Sequence, residues 1–213
     1  MSFDIICFDC DSTLSKIEGI DELAERVGLG PEMSRLTNAA MNGEVALEAV
    51  YEQRLAAIKP TRESIDWLAE RYIAERVDGV EAVFAELLAS GKALHIISGG
   101  LRQAILPLAE YLGVAVERVH AVDVYFDDDG SYLGFDKESP LARNGGKAEI
   151  CRQLQIPSAQ LVMVGDGKTD MEAKQAGAYV IGFGGVVNRA IVRELADVYC
   201  PGPNLSETLL HIL

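Results

Sequence analysis

Short, largely apolar runs recur along the chain at residues 5–8, 93–97, 161–164, 179–181 and, more weakly, 198–200. A run without polar alternation hides both faces of a strand, as happens in a parallel sheet covered by helices on each side. Helical spacing fills the intervals. Val80, Val83, Phe84, Leu87 and Leu88 fall at i, i+3, i+4, i+7 and i+8, and Gly91 follows as a stop. Strands alternating with helices predict an α/β protein with a doubly wound parallel sheet, whose ligands sit at the carboxyl ends of the strands.

Residues 17–75 break that rhythm, with several helix-period segments and no convincing strand. Ile20, Leu23, Ala24 and Val27 mark one helix; Ile65, Leu68, Ala69, Tyr72 and Ile73 mark another, with Thr61 as its cap after Pro60. The expected organisation is a catalytic core of residues 1–16 and 76–213, with a helical cap of residues 17–75 inserted after the first strand. A cap there would lie over the strand ends as a lid that excludes water and selects substrates.

Two stretches are less regular. Between residues 119 and 135, Val122, Val124 and Phe126 alternate and Asp127-Asp128-Asp129-Gly130 makes a turn, which predicts a hairpin. A calcium loop with its glycine at Gly130 would start at Tyr125 and lack its first ligand, so the acids read as a solvated turn. Pro107 interrupts the pattern Ile105, Leu108, Ala109, Leu112 and should kink or delay that helix.

The 213 residues, 49% of them apolar, suffice for one well-packed domain and a sizeable insertion. A net charge of −14, from 33 acids against 19 bases, repels polyanions and argues against nucleic acid as a partner. A small anionic substrate stays compatible, because a bound divalent cation and a few local bases reverse the field inside one cleft. The most apolar stretch, 178–187, is shorter than the ~18 residues of a membrane span and holds glycines at 182, 184 and 185. Met1-Ser2-Phe3-Asp4 carries neither a basic region nor a cleavage signal, so a cytoplasmic protein, monomer or homodimer, is expected. Cys7 and Cys10 form a C-x-x-C, but strand positions three apart face opposite ways and no second pair completes a metal site. Cys7 reads as core, and Cys151 and Cys200 have no partner that the sequence assigns.

The chemistry gathers at the predicted strand ends. Phe8-Asp9-Cys10-Asp11-Ser12-Thr13 closes the first apolar run with two acids one residue apart. Asp9 is placed to attack phosphorus, which splits one hard displacement into two easier steps, and Asp11 to give and take a proton. By itself the motif fits an acidic turn equally well. Ile97-Ser98-Gly99-Gly100 adds a hydroxyl and unobstructed amides able to hold phosphate oxygens. Gly145-Gly146-Lys147 places a cation at a helix start, where it neutralises charge around nucleophile and phosphate. Val164-Gly165-Asp166-Gly167-Lys168-Thr169-Asp170 supplies two more acids: Asp166 as a magnesium ligand and Asp170 to orient the shell. Thr169 and Glu172 also fit a capping box.

In this order the motifs resemble the haloacid dehalogenase superfamily of phosphotransferases. Within it they are most similar to the phosphoserine phosphatase family, together with Glu18-Gly19-Ile20-Asp21-Glu22-Leu23 and Ile181-Gly182-Phe183-Gly184-Gly185. The resemblance implies a Rossmann-like core with an inserted helical cap. It implies Asp9 as nucleophile, Asp11 as proton donor, and Mg2+ held by Asp9, the Asp11 carbonyl and Asp166. Ser98, Gly99, Lys147 and Thr169 would hold the phosphate, Glu18 the ammonium and Arg54 the carboxylate of a small phosphorylated amino acid. The sequence agrees on Arg54, which shares the apolar face of Leu47, Val50, Tyr51, Leu55 and Ile58 and so needs a partner: a substrate carboxylate or one of the chain's own acids.

The expected reaction is hydrolysis of O-phospho-L-serine through an aspartyl-phosphate. The alternatives are transfer to an acceptor such as homoserine, a broader small-metabolite phosphatase, and, least supported, a silent metabolite-binding protein. The chain departs from the family pattern at Leu47, where an aromatic is frequent, at Lys168, an added charge, and at Cys10, where an aliphatic is usual. Cys10 would make the protein sensitive to oxidation or alkylation.

Overall fold

In the computed structural model, which describes residues 3–156 and 159–213, every residue of the first apolar run is buried, and Ile5–Phe8 is strand β1. Met1 and Ser2, part of the segment read for a targeting signal, lie outside the described residues. Four helices follow, α1 (Gly19–Arg26), α2 (Gly30–Met41), α3 (Leu47–Ile58) and α4 (Arg62–Ala74), and then α5 (Val80–Ala89). Beyond these come β2 (Ala93–Leu101), α6 (Arg102–Tyr111), β3 (Val119–Val122), β4 (Val124–Phe126), β5 (Tyr132–Phe135) and α7 (Gly146–Leu154). The chain closes with β6 (Leu161–Gly165), α8 (Lys168–Met171), β7 (Tyr179–Phe183), α9 (Ala190–Leu195), β8 (Val198–Cys200) and α10 (Leu209–Ile212).

Six strands form one parallel sheet in the order β3-β2-β1-β6-β7-β8, the doubly wound α/β architecture expected from the alternating pattern. The chain moves outward from β1 to β2 and β3, then returns to β6 on the other side of β1. That reversal leaves a crevice at the carboxyl end of β1. Phe8 stands level with Ile96 of β2 and Val164 of β6, so Asp9, Ser98 and Asp166 emerge from three adjacent strands at nearly one height. Phe8 itself packs on Phe84 of α5, ring centroids 4.9 Å apart, which anchors the strand below the crevice.

The segment holding α1 to α4 leaves and rejoins the sheet side by side. Lys16 N–H donates to the Glu75 carbonyl at 2.7 Å and Val77 N–H to the Leu14 carbonyl at 2.9 Å. The helix period of α3 is met, with Leu47, Val50, Tyr51, Leu55 and Ile58 all buried along one side. Thr61 caps α4, its Oγ1 accepting from Ser64 N–H at 3.2 Å. No helix of the described residues is long and apolar enough to cross a membrane.

Three expectations need correction. Residues 119–122 belong to the parallel sheet as edge strand β3; the hairpin is β4 with β5 alone, closed by Gly130 N–H on the Asp127 carbonyl. The reason is burial: Val119 and Val122 cover the sheet, while His120 meets His95 of β2 at 3.1 Å between ring nitrogens. Strand β2 does not turn at Ser98 but continues to Leu101 with an irregular register, so the hydroxyl and glycines lie on extended backbone. Pro107 does not delay α6, which already begins at Arg102, because Ala104, Ile105, Leu108 and Ala109 are buried on both sides of the proline and packing outweighs one lost hydrogen bond. Cys151, without an assignable partner in sequence, lies against Cys7: burial and the neighbouring Cys151 thiol push the Cys7 thiol well up in pKa.

Candidate active site

Every sequence-predicted site residue except Asp170 lines one cleft between the sheet's carboxyl edge and α1, α2, α3 and α4. Asp9 follows β1 directly. Its Oδ1 accepts from Cys10 N–H at 2.7 Å, which leaves Oδ2 to face Lys147 Nζ at 2.8 Å. Lys147 is 6% exposed and reaches in from the first turn of α7. Its Nζ also donates to Asp170 Oδ1 at 2.6 Å. Burial disfavours the ammonium, yet the charges of Asp170 and Asp9 more than reverse this and raise its pKa. Asp170 thus stands behind the cleft and holds the lysine. A Cβ at Gly165 would fall 2.1 Å from the Asp170 carboxyl carbon, so glycine is required at the end of β6.

Asp11 lies in the loop between β1 and α1, where Ser12 adopts a left-handed φ of 52°. One carboxylate oxygen, Oδ1, accepts both Gly19 N–H and the Tyr72 hydroxyl, each at 2.7 Å. Burial and the charge of Asp9 raise Asp11 to about 6, against the pull of those two donors. A carboxyl group poised there can carry a proton in one step and accept one in the next. Tyr72, on α4 and fully buried, was invisible as a site residue because its position in an apolar helix face reads as core.

Carboxylate oxygens of Asp9, Asp166 and Asp170 lie within 4.8 Å of one another, all buried. Burial first, then the charge of Asp9, lifts Asp166 to about 7 and Asp170 to about 8. Crowded carboxylates with raised pKa values lack positive charge, and an all-oxygen donor set suits a hard divalent cation. Arg189 supplies part of the charge: Nε donates to Asp166 Oδ2 at 3.3 Å and NH2 is 4.0 Å from Glu18 Oε1. Its NH1 reaches Asn38 and Asn42 on and after α2, at 3.0 and 3.4 Å. The sequence reading missed Arg189. One arginine at the start of a short helix carries no signal until the fold turns it inward.

Ser98 is fully buried and its Oγ accepts Gly100 N–H at 3.0 Å. Gly99 accepts the Tyr51 hydroxyl at 2.8 Å, which ties α3 to the end of the sheet. Thr169 lines the same cleft. The capping box expected from Thr169 and Glu172 does not form: Asp170 Oδ2 accepts Gly167 N–H at 3.0 Å, and Glu172 accepts Gly145 N–H at 2.7 Å, before α7. Thr169 therefore keeps its hydroxyl out of helix capping. Lys168 points away, its side chain lying against Gly43 beyond α2.

The helical wall carries Glu18 and Arg54. Glu18 accepts the Ser12 hydroxyl at 2.7 Å, and burial with the charges of Asp11 and Asp166 pushes its pKa well up. Arg54 is 4% exposed, donates NH1 to Thr37 Oγ1 at 3.1 Å, and leaves Nε without a partner. Among the described residues no acid stands within ion-pair distance of it. The internal salt bridge that the sequence left open is not made; a planar donor fork lines the cleft instead. Leu47 adds apolar surface beside it. Cys10 is fully buried, and burial followed by the charges of Asp11 and Asp9 drives its thiol well up, which opposes the reactivity expected from sequence.

The family model of the haloacid dehalogenase-like hydrolases matches residues 3–177. The phosphoserine phosphatase of Drosophila melanogaster is 40% identical over 199 residues, 92% of this chain and 73% of that protein. The phosphoserine phosphatase of Homo sapiens is 36% identical over 200 residues, 93% of this chain and 89% of that one. A phosphoserine phosphohydrolase-like protein from Francisella tularensis superposes over the whole of both chains with a TM-score of 0.89 at 26% identity. A substrate-bound phosphoserine phosphatase does so with a TM-score of 0.85 at 27% identity.

Proposed function

The chain belongs to the haloacid dehalogenase-like hydrolases and is a phosphatase of that family, and from this premise we propose that it hydrolyses O-phospho-L-serine to L-serine and phosphate, with Mg2+ and a phosphoryl group carried on Asp9. The observation that carries the substrate is Arg54, a buried guanidinium with a free Nε and no acid at ion-pair distance, lining the same cleft as Glu18. A buried cation without a counter-ion is costly, and a ligand carboxylate relieves that cost with two parallel hydrogen bonds. Glu18, hemmed in by Asp11 and Asp166, is relieved in the same way by an ammonium group. The relatives from fly and human, which are phosphoserine phosphatases, point to the same molecule.

In this reading Asp9 attacks phosphorus while Lys147, held by Asp170, offsets the charge of nucleophile and phosphate. The phosphoryl oxygens lie against Ser98, Gly99, Lys147 and Thr169. Protonated Asp11 gives its proton to the departing serine oxygen, and the resulting carboxylate takes one from the water that releases phosphate. Asp9, the Asp11 carbonyl and Asp166 would hold the magnesium ion, which when bound polarises the phosphoryl group as a Lewis acid. The same proposal divides the chain into a core, 1–16 and 76–213, and a cap, 17–75, a division supported by the paired backbone at Leu14, Lys16, Glu75 and Val77.

The test is a panel of phosphoserine, phosphothreonine, phosphoethanolamine and phosphoglycolate, with free phosphate and free amino acid measured together. Phosphoserine should have the highest kcat/KM, with phosphate and serine released one to one. Asp9→Asn should abolish turnover, as should excess chelator. Equal kcat/KM for phosphoethanolamine and phosphoserine would reject the substrate, and retained turnover in Asp9→Asn would reject the mechanism.

A further inference from the structure

We propose that Thr37, anchored by Asp21, is a positioning residue that presents Arg54 to the substrate carboxylate while keeping the guanidinium free of an internal counter-ion. The inference rests on Arg54 binding a carboxylate, as proposed above. Met33, Thr37 and Ala40 form the buried side of α2, a face on which an apolar residue is the default. Thr37 is 2% exposed, so its hydroxyl needs partners at both its proton and its lone pairs. It has them: Oγ1 donates to Asp21 Oδ1 at 2.6 Å and accepts from Arg54 NH1 at 3.1 Å.

The order of the relay matters. Asp21 sits one hydroxyl away from the guanidinium rather than on it, and no ion pair forms between them. A direct carboxylate would neutralise Arg54 and compete with the ligand for the same fork. A hydroxyl fixes one corner of the plane and leaves the guanidinium without a carboxylate in direct contact, with Nε unpartnered. Because Asp21 takes the hydroxyl proton, the Thr37 lone pair is turned toward NH1. Three helices contribute one group each, Asp21 from α1, Thr37 from α2 and Arg54 from α3, so the fork is set by the packing of the helical segment.

The experiment compares Thr37→Val, Thr37→Ala, Thr37→Ser and Arg54→Ala in the full-length, magnesium-loaded protein, with melting curves to establish folding. The readout is the ratio of kcat/KM for phosphoserine to that for phosphoethanolamine, which differ by the carboxylate. Thr37→Val should lower that ratio about tenfold, mainly through KM for phosphoserine, as expected for one hydrogen bond to a charged group. Thr37→Ser should restore it. Thr37→Ala removes the hydroxyl without a new methyl beside Asp21 and gives the same reading if the valine variant folds poorly. A ratio unchanged in both hydroxyl-less variants but lowered in Arg54→Ala overturns the positioning role and leaves the substrate assignment intact. A ratio unmoved in Arg54→Ala overturns the substrate assignment, and this inference with it.

Discussion

Replacing Tyr72 by phenylalanine removes one of the two donors that stabilise ionised Asp11. The hydroxyl donates to Asp11 Oδ1 at 2.7 Å in a partly buried site, and its effect is to lower the carboxyl pKa against burial and the charge of Asp9. A hydrogen bond to a charged group contributes about 1.5–3 kcal/mol and one pKa unit corresponds to about 1.4 kcal/mol, so the loss amounts to about 1–2 units. Gly19 N–H still donates to the same oxygen, which favours the lower end. Asp11 should therefore titrate about one unit above its present value near 6. Whichever limb of the pH profile of kcat Asp11 governs must move to higher pH by that amount, because both its acid and base roles follow one titration. The assay is kcat between pH 5 and 9 at saturating phosphoserine and magnesium, wild type against Tyr72→Phe, with melting curves at each pH. An unshifted profile, or one displaced to lower pH, would refute the assignment of Asp11 as the proton carrier.

Lys147→Met leaves Asp9 and Asp170 without their shared cation; breaking a buried pair costs about 3–5 kcal/mol, to be read from urea unfolding at pH 7, and turnover should fall by at least about a hundredfold. An unfolding free energy within 1 kcal/mol of wild type, with turnover retained, would contradict that role. Burial and the neighbouring His120 lower His95 from its ordinary 6.5 to about 4, so the unfolded chain binds more protons between those values. The stability contributed by neutral His95 is complete above pH 6.5 and lost as pH falls toward 4; His95→Phe should flatten that part of the melting-temperature profile, and an unaltered slope would count against it. The buried, protonated Cys10 thiol should resist alkylation in the folded protein and react only after unfolding; stoichiometric labelling of Cys10 in folded enzyme, with matching loss of activity, would contradict this.

Much of the fold was legible because buried parallel strands leave uninterrupted apolar runs. Residues 5–8, 161–164 and 179–181 fall within strands, and the helix spacing around Val83 and Leu87 falls within α5. Strand β3 escaped because an edge strand of four residues, with His120 and Ala121 half-buried, has no such run. The length of β2 was underestimated for a related reason: Ser98-Gly99-Gly100 has turn composition, yet the Tyr51 hydroxyl holds the Gly99 carbonyl and pairing with β3 resumes at Leu101. Thr169 and Glu172 had the spacing of a cap, but Asp170 and Gly145 offered better-placed partners from outside that pattern. Local propensity yielded in each case to contacts made across the fold.

The sequence by itself determined which residues make up the candidate reactive set. Asp9 and Asp11 follow one apolar run, Asp166 and Asp170 another, Ser98 a third, and Lys147 opens a helical pattern, so a parallel sheet brings them toward one edge. What only the tertiary structure decided is which charges remain unanswered. Arg54 could equally have met one of 33 acids, and nothing in its helix face said that a hydroxyl, Thr37, would stand between it and Asp21. Arg189 and Tyr72 joined the site only when their elements packed around Asp166 and Asp11. Pairing and pKa depend on burial and on distances between residues remote in sequence, which only the folded chain fixes.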